Sequence, residues 1–277
     1  MRQDVRTFAH DLNGALGSIL AAADVHAQRD GAHKEVFASI AGAARRAGDL
    51  TERLVKAATS DETGLDSAYQ RDLGYLEKVG GGLDRVLSDL EQLGRSNDIP
   101  IVDRETGRFL AVLVAAKRAA NVLEIGTAYG YSTVWMARAL PAQGKILTID
   151  PDTARTAIAQ DFFRRAGVAN RIEVRSAKAL DVLPALPREH YDLVFIDALK
   201  EEYSDYLRAS VPLLKTSGIL LADNLLWAHR AAQPPRSSDD ASLKAIRRFN
   251  EELLGHPALV ATILPLGDGV GFATKVT

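Results

Sequence analysis

Asn121-Val-Leu-Glu-Ile-Gly-Thr-Ala-Tyr-Gly-Tyr-Ser132 is the stretch that decides the fold of this chain. Its first five residues form the short, mostly apolar run of a buried parallel strand, and Gly126 and Gly130 follow at once. Glycine permits a sharp backbone turn and the close approach of a ligand. Ser132 and Thr133 have side chains typical of helix N-caps, and an apolar helical pattern follows them. The stretch therefore predicts a strand, a glycine turn and a helix, with a ligand at the carboxyl end of the strand.

Two acidic residues narrow the class of ligand. Glu124 lies at the end of the first strand, and Asp150 ends a second predicted strand, 145–150. The Gly-x-x-x-Gly spacing is neither the dinucleotide fingerprint nor the phosphate-binding loop. A carboxylate at Glu124 would repel a pyrophosphate but suits a cationic or amine-bearing ligand. A glycine turn after a strand can also be a tight turn that binds no ligand. An acidic residue at the end of the second strand, however, typically binds ribose hydroxyls. The pair favours a nucleoside ligand.

Strands and helices alternate from residue 121 to the end of the chain. The predicted strands are 121–125, 145–150, 171–175, 192–197, 217–223, 258–264 and 269–275. Such alternation predicts an α/β fold, a doubly wound and mostly parallel seven-stranded sheet with helices on both faces. The last two strands are joined through Gly267-Asp-Gly269. The final strand is therefore predicted to be antiparallel and to form a hairpin.

Two other strand ends carry polar side chains that suit a metal ion. The fourth strand ends in Asp197, followed by Lys200, and the fifth ends in Asp223-Asn224. Parallel strands deliver these ends to the same edge of the sheet as Gly126. Two carboxylates and an amide oxygen are hard ligands for Mg²⁺, Mn²⁺ or Ca²⁺, and they leave positions open for water and substrate. In the alternative interpretation, Asp197 caps a helix and Asp223-Asn224 form a turn.

The composition of the chain excludes several classes of protein. The 277 residues include no cysteine, which excludes disulfides, thiolate metal sites and cysteine catalysis. A formal net charge of −2 gives no broad electrostatic footprint for nucleic acid. The amino terminus lacks the apolar stretch of a signal peptide, and no run approaches the roughly twenty apolar residues of a membrane span. We expect a cytoplasmic protein that binds neither a membrane nor nucleic acid.

Residues 1–58 carry two apolar stripes at helical spacing, and 59–69 are predicted to form a polar linker. The stretch Phe8-Ala-His-Asp-Leu-Asn-Gly-Ala-Leu-Gly-Ser-Ile19 resembles the H-box of sensor histidine kinases, whose dimerisation and phosphoacceptor module is a helical hairpin. Ala15 stands where that family usually has proline, and no kinase domain follows, so the resemblance supports dimerisation rather than phosphotransfer at His10. We expect a homodimer held by a four-helix bundle. The alternative is a hairpin that covers the remaining domain as a lid.

Residues 70–277 resemble the cation-dependent O-methyltransferases that use S-adenosylmethionine, including the catechol and caffeoyl-CoA enzymes. The stretches that carry the resemblance are Val122–Ser132, Ile149-Asp150, Asp192–Asp197, Lys200, Tyr203, Asp223-Asn224 and Leu266–Gly269. The resemblance implies the class I methyltransferase fold, a Rossmann-like sheet of seven strands whose last strand is reversed.

The resemblance also implies a role for each matching residue. Cofactor binding is implied for Val102, Glu124, Gly126, Thr127, Ser132, Asp150 and Asp197. Metal binding is implied for Asp197, Asp223 and Asn224, and Lys200 matches the catalytic lysine. Two positions depart from the family pattern: Lys178 stands where many members carry an acid near the adenine, and Leu199 replaces a frequent second aspartate. Neither change removes a metal ligand.

The resemblance, together with the predicted metal ligands, thus implies metal-dependent methyl transfer from S-adenosylmethionine to a hydroxyl of a small catechol-like acceptor, an ortho-dihydroxy aromatic. Trp227 is either a wall for the aromatic ring or a core or surface aromatic. One alternative function is methylation of modified tRNA, but the sequence has no basic stripe to bind it. Another alternative is a regulatory role, in which the protein senses S-adenosylmethionine and docks through residues 1–58. The intact set of Asp197, Lys200, Asp223 and Asn224 argues against that role.

Overall fold

A computed structural model describes residues 71–277 of the chain. The chain divides into two units between Gly82 and Leu83, and residues 83–277 form one of them. In the other unit, residues 71–79 are helical. The predicted hairpin of residues 1–58, its H-box resemblance, the homodimer that it would form and the linker 59–69 lie outside the described residues.

The unit from residue 83 onward alternates helices and strands. Its strands are β1 Asn121–Ile125, β2 Lys145–Ile149, β3 Ile172–Arg175, β4 Tyr191–Ile196, β5 Leu214–Ala222, β6 Leu259–Leu264 and β7 Val270–Lys275. Its α-helices are α1 Arg85–Ser96, α2 Arg104–Lys117, α3 Tyr131–Ala139, α4 Thr153–Arg165, α5 Ala179–Val182, α6 Tyr203–Ser210 and α7 Ala241–Leu254. Short 3₁₀ turns lie at Ala169–Arg171, Leu183–Ala185, Lys200–Glu202 and Val211–Leu213.

The strands form one seven-stranded sheet in the order β3-β2-β1-β4-β5-β7-β6. Strands β1 to β5 are parallel, and β7 runs antiparallel to both β5 and β6. The predicted doubly wound sheet with a reversed last strand is therefore confirmed. The register pairs Ile125 with Ile149 and with Ile196, and Ile196 with Ala222. The carboxyl ends of β1, β2, β4 and β5 consequently meet at one edge.

Both faces of the sheet are buried, which explains why the central strands are nearly continuous apolar runs. One cluster of buried side chains includes Leu123 and Ile125 of β1 with residues of α6 and α7. The other includes Val122 of β1 with residues of α1 to α4. Alternate residues of one strand thus enter opposite cores, as strand geometry requires. Among residues 71–277, no helix combines the length and the apolar character that crossing a membrane requires.

Gly126 makes the turn at the end of β1 possible. Its φ of 104° is one that residues with a side chain rarely adopt. A Cβ atom here would lie 1.9 Å from the carbonyl oxygen of Asp197, which is the residue after β4. The backbones following β1 and β4 are therefore in direct contact, and only glycine allows it. This contact brings the two strand ends together at the edge where the polar side chains lie.

Candidate active site

A cavity of about 650 Å³ opens at the carboxyl edge of the parallel strands. It is lined by residues from the end of each central strand and from the segment before α2, among them Ile99, Pro100, Ile101, Val102, Gly126, Thr127, Ala128, Ser132, Asp150, Arg155, Lys178, Asp197, Leu199, Lys200, Tyr206, Asp223, Asn224, Trp227 and Asp268. Every site residue predicted from the sequence, except Glu124, lines this one cavity. The prediction that parallel strands bring Gly126, Asp150, Asp197 and Asp223-Asn224 to one edge of the sheet is confirmed by their placement.

Asp150 holds the glycine turn in place. One carboxylate oxygen accepts the N–H of Thr127 at 3.2 Å and that of Ala128 at 2.9 Å. The other accepts the N–H of Asp152 at 2.9 Å. Ala128 has a φ of 44°, in the left-handed region that a side chain disfavours, so these hydrogen bonds offset the strain of the turn. Asp150 therefore shapes the cavity wall as well as lining it.

Glu124 lies behind the cavity wall and is fully buried. Its carboxylate accepts hydrogen bonds from three hydroxyls: Ser132 at 2.6 Å, Thr133 at 2.5 Å and Thr148 at 2.6 Å. The prediction that Ser132 and Thr133 cap the helix is therefore wrong. Helix α3 begins at Tyr131, Gly130 occupies the cap position, and the two hydroxyls turn inward to the buried carboxylate. Glu124 touches the cavity through Ser132 rather than directly.

Burial raises the pKa of Glu124 to about 7, against the three hydroxyl donors that lower it. Between about pH 4.5 and 7 the folded protein holds a proton that the unfolded chain, with a carboxyl pKa of 4.5, has released. The free energy of unfolding should therefore fall as pH rises between about 4.5 and 7, by roughly 3 kcal/mol in total.

We expect Glu124→Gln to remove this part of the pH dependence, because an amide does not titrate. Melting temperatures measured from about pH 5 to pH 8 should drop more steeply for the wild type than for the variant. Glu251→Gln, at an exposed position of α7, serves as the control and should follow the wild type. Parallel curves for Glu124→Gln and the wild type would show that the buried carboxyl does not titrate in this window.

Asp197 and Asp223 meet at the ends of β4 and β5. The N–H of Asp223 donates to the carbonyl of Ile196 at 3.0 Å, which places the two aspartates side by side. Burial first, and then the charge of Asp197, raise the pKa of Asp223 to about 8. Asn224 follows with a φ of 63°, a left-handed conformation that asparagine adopts more readily than most residues. Two carboxylates thus face one buried space, where a cation would relieve their repulsion.

Lys200 supplies positive charge to the same space. Its Nζ donates to Oδ1 of Asp197 at 2.9 Å and to the hydroxyl of Tyr203 at 2.7 Å. The Tyr203 hydroxyl in turn donates to the carbonyl oxygen of Asp223 at 3.2 Å. Burial, together with Asp197 and Asp223, raises the pKa of Tyr203 well above its usual value, so this phenol remains neutral. Tyr203 therefore ties the lysine to both strand ends.

Several residues that line the cavity were missed by the sequence interpretation. These are Arg155, Tyr206 and Asp268. The Ile99–Ile101 segment also lines the cavity, next to Val102, which was predicted to do so. The reversed strand β7 could have pointed to Asp268, because it brings the preceding turn to the carboxyl edge of β5. The two residues that depart from the family pattern, Lys178 and Leu199, both line the cavity and are both exposed, Leu199 by 56% of its surface. Within residues 71–277, no three His, Cys, Asp or Glu side chains cluster as a metal site.

Comparisons with known proteins agree with this geometry. Residues 83–276 match the O-methyltransferase family. The chain is 39% identical over 192 residues to a catechol O-methyltransferase of Mycobacterium tuberculosis, covering 69% of this chain and 86% of that protein. It is 37% identical over 168 residues to a catechol O-methyltransferase of Niastella koreensis, covering 60% and 75%. The crystal structure of TomG from Streptomyces achromogenes, an O-methyltransferase of tomaymycin synthesis in complex with S-adenosylmethionine, has a TM-score of 0.68 and 31% identity over 73% of this chain and 95% of that one.

Proposed function

The chain belongs to the O-methyltransferase family, and from this premise we propose that it methylates one hydroxyl of a small ortho-dihydroxy aromatic with the help of a divalent cation. It is an S-adenosylmethionine-dependent enzyme of the catechol and caffeoyl-CoA type. The cation and the acceptor class are the proposed part. One observation carries them: Asp197 and Asp223 converge beside Lys200 in the cavity that also contains the glycine turn.

The residues present fit a cation. Asp223 is 4% exposed, and its buried carboxyl lies next to a second carboxyl, an arrangement that is unfavourable without positive charge. Asp197, Asp223 and the amide oxygen of Asn224 would hold the ion. Oxygen ligands of this kind suit Mg²⁺ best, and Mn²⁺ or Ca²⁺ as well. When bound, such an ion supplies the positive charge that lowers the pKa of an acceptor hydroxyl.

Residues of the chain bind the cofactor, accept the proton and contact the acceptor. The Gly126–Ser132 turn and Asp150 form the end of the cavity proposed to bind S-adenosylmethionine, which supplies a methyl group on a sulfonium. Lys200 takes the proton of the attacking hydroxyl. Trp227 forms a wall for the aromatic ring. Positioning of acceptor and donor within one cavity provides most of the remaining acceleration.

A screen of acceptors tests this proposal. Purified protein is incubated with S-adenosylmethionine and either a catechol, a caffeoyl thioester or a modified tRNA, with Mg²⁺ or with EDTA. We expect methyl transfer to the catechol with Mg²⁺ and its loss in EDTA. Undiminished transfer in EDTA would exclude the cation, and transfer only to tRNA would exclude the acceptor class. Binding of S-adenosylmethionine without transfer to any acceptor would favour a regulatory sensor.

A further inference from the structure

The segment 225–240, here called the β5–α7 loop, carries Trp227 to the cavity. Trp227, Ala228 and His229 have φ values of 49°, 51° and 61°, so three consecutive residues with side chains are left-handed. Left-handed backbone of this kind is unfavourable for residues other than glycine. The loop keeps this shape only if contacts elsewhere fix it.

One side of the loop is fixed by the turn before β7. The N–H groups of Leu225 and Leu226 donate to the carbonyls of Gly269 at 2.9 Å and Asp268 at 2.8 Å. The N–H of Ala228 donates to a carboxylate oxygen of Asp268 at 2.5 Å. These bonds hold the beginning of the loop, up to the left-handed residues.

The other side is fixed by Arg247 of α7. Its guanidinium donates to the carbonyls of Arg230 at 2.9 Å, Ala231 at 3.2 Å and Gln233 at 2.9 Å. It also donates to a carboxylate oxygen of Asp239 at 2.5 Å. The side chains of Arg247 and Asp239 are only 17% and 10% exposed, so this ion pair is largely screened from water. The Arg247 side chain thus donates hydrogen bonds to four acceptors spread over residues 230–239 of the loop.

We propose that Arg247 is a positioning residue for the methyl acceptor: it fixes the β5–α7 loop so that Trp227 is presented to the cavity. The proposal rests on the proposed function, since it assumes that Trp227 contacts the acceptor. Arg247 does not itself line the cavity, so it acts through the loop. The planar guanidinium, with five donors in a fixed fork, suits several carbonyls at once, whereas lysine offers one nitrogen.

The cofactor end of the cavity does not depend on this loop. It is formed by the Gly126–Ser132 turn and by Asp150, which are held by their own hydrogen bonds. Loss of the Arg247 contacts should therefore affect the acceptor and leave the cofactor unaffected. This separation distinguishes positioning from general stabilisation of the fold.

Arg247→Met tests the proposal, with Arg248→Met at the exposed neighbouring position as the matched control. We expect Arg247→Met to raise KM for the catechol about tenfold or more, with a smaller change in kcat and an unchanged Kd for S-adenosylmethionine. Arg247→Lys should give an intermediate KM, and Arg248→Met should match the wild type. An unchanged KM in Arg247→Met, or an equal loss of cofactor binding, would overturn the proposal.

Trypsin provides a readout that needs no enzymatic activity. Arg236 is exposed within the loop, and cleavage after it can be followed by mass spectrometry. We expect Arg247→Met to be cleaved there faster than the wild type and Arg248→Met, because the loop opens more often. Equal cleavage rates would overturn the positioning role. If the wild type methylates no catechol, the role in acceptor binding fails together with the proposed function, and the trypsin rates still decide whether Arg247 fixes the loop.

Discussion

Asp223→Ala is expected to reduce methyl transfer by about 10³-fold or more while S-adenosylmethionine still binds. Asp223 is the buried member of the carboxylate pair, and its removal leaves Asp197 and Asn224 too few to hold a divalent ion. The residues proposed to bind the cofactor, the Gly126–Ser132 turn and Asp150, are untouched. Rates at saturating acceptor and Mg²⁺, with cofactor Kd from calorimetry, measure the two effects separately.

Two further variants make this prediction decisive. Asp223→Asn keeps the shape of the side chain but cannot ionise, so above about pH 8, where Asp223 is charged, its cation-free form should melt no lower than the wild type while its activity is lost. Asp205→Ala, at an exposed position of α6, should behave as the wild type. Full activity of Asp223→Ala in excess EDTA would contradict the assignment of a cation to this site.

The fold and the convergence of the site were predictable because they depend on local pattern and on sheet geometry. The apolar run of β1 and the glycine turn predict a strand followed by a ligand edge. Parallel pairing then requires Asp150, Asp197 and Asp223 to reach that edge, because the carboxyl ends of parallel strands point the same way. No side-chain contact had to be known for either inference.

The inward hydroxyls of Ser132 and Thr133 and the contacts of Arg247 were not predictable, because they depend on side-chain contacts between separate elements of the fold. Ser132 and Thr133 have side chains that often cap helices, but here their hydroxyls donate to the buried carboxylate of Glu124 on β1, which needs hydrogen-bond partners. Arg247 resembles its neighbour Arg248 in the sequence. Only the path of the β5–α7 loop shows that the guanidinium of Arg247 donates to four acceptors while Arg248 is exposed.

Lys200→Met is expected to lower kcat by about 10²-fold or more, the usual effect of losing a positioned base. The Nζ of Lys200 lies in the cavity, held at 2.9 Å from Asp197 and 2.7 Å from the hydroxyl of Tyr203. Methionine keeps the length of the side chain without a group that binds a proton. The Kd for S-adenosylmethionine should change much less than kcat, because this lysine makes its hydrogen bonds to Asp197 and Tyr203 and none to Asp150 or the glycine turn. Single-turnover rates with saturating catechol give the chemical step directly.

Lys200→Arg separates proton transfer from simple charge. Arginine keeps a positive charge beside Asp197 but cannot act as a base, since its guanidinium stays protonated. If Lys200 takes the hydroxyl proton, Lys200→Arg should be nearly as slow as Lys200→Met; if Lys200 only balances the aspartates, Lys200→Arg should recover most of the rate. Lys244→Met, at an exposed position of α7, controls for loss of a surface charge. A Lys200→Met rate equal to that of the wild type across neutral pH would exclude the lysine from the chemical step.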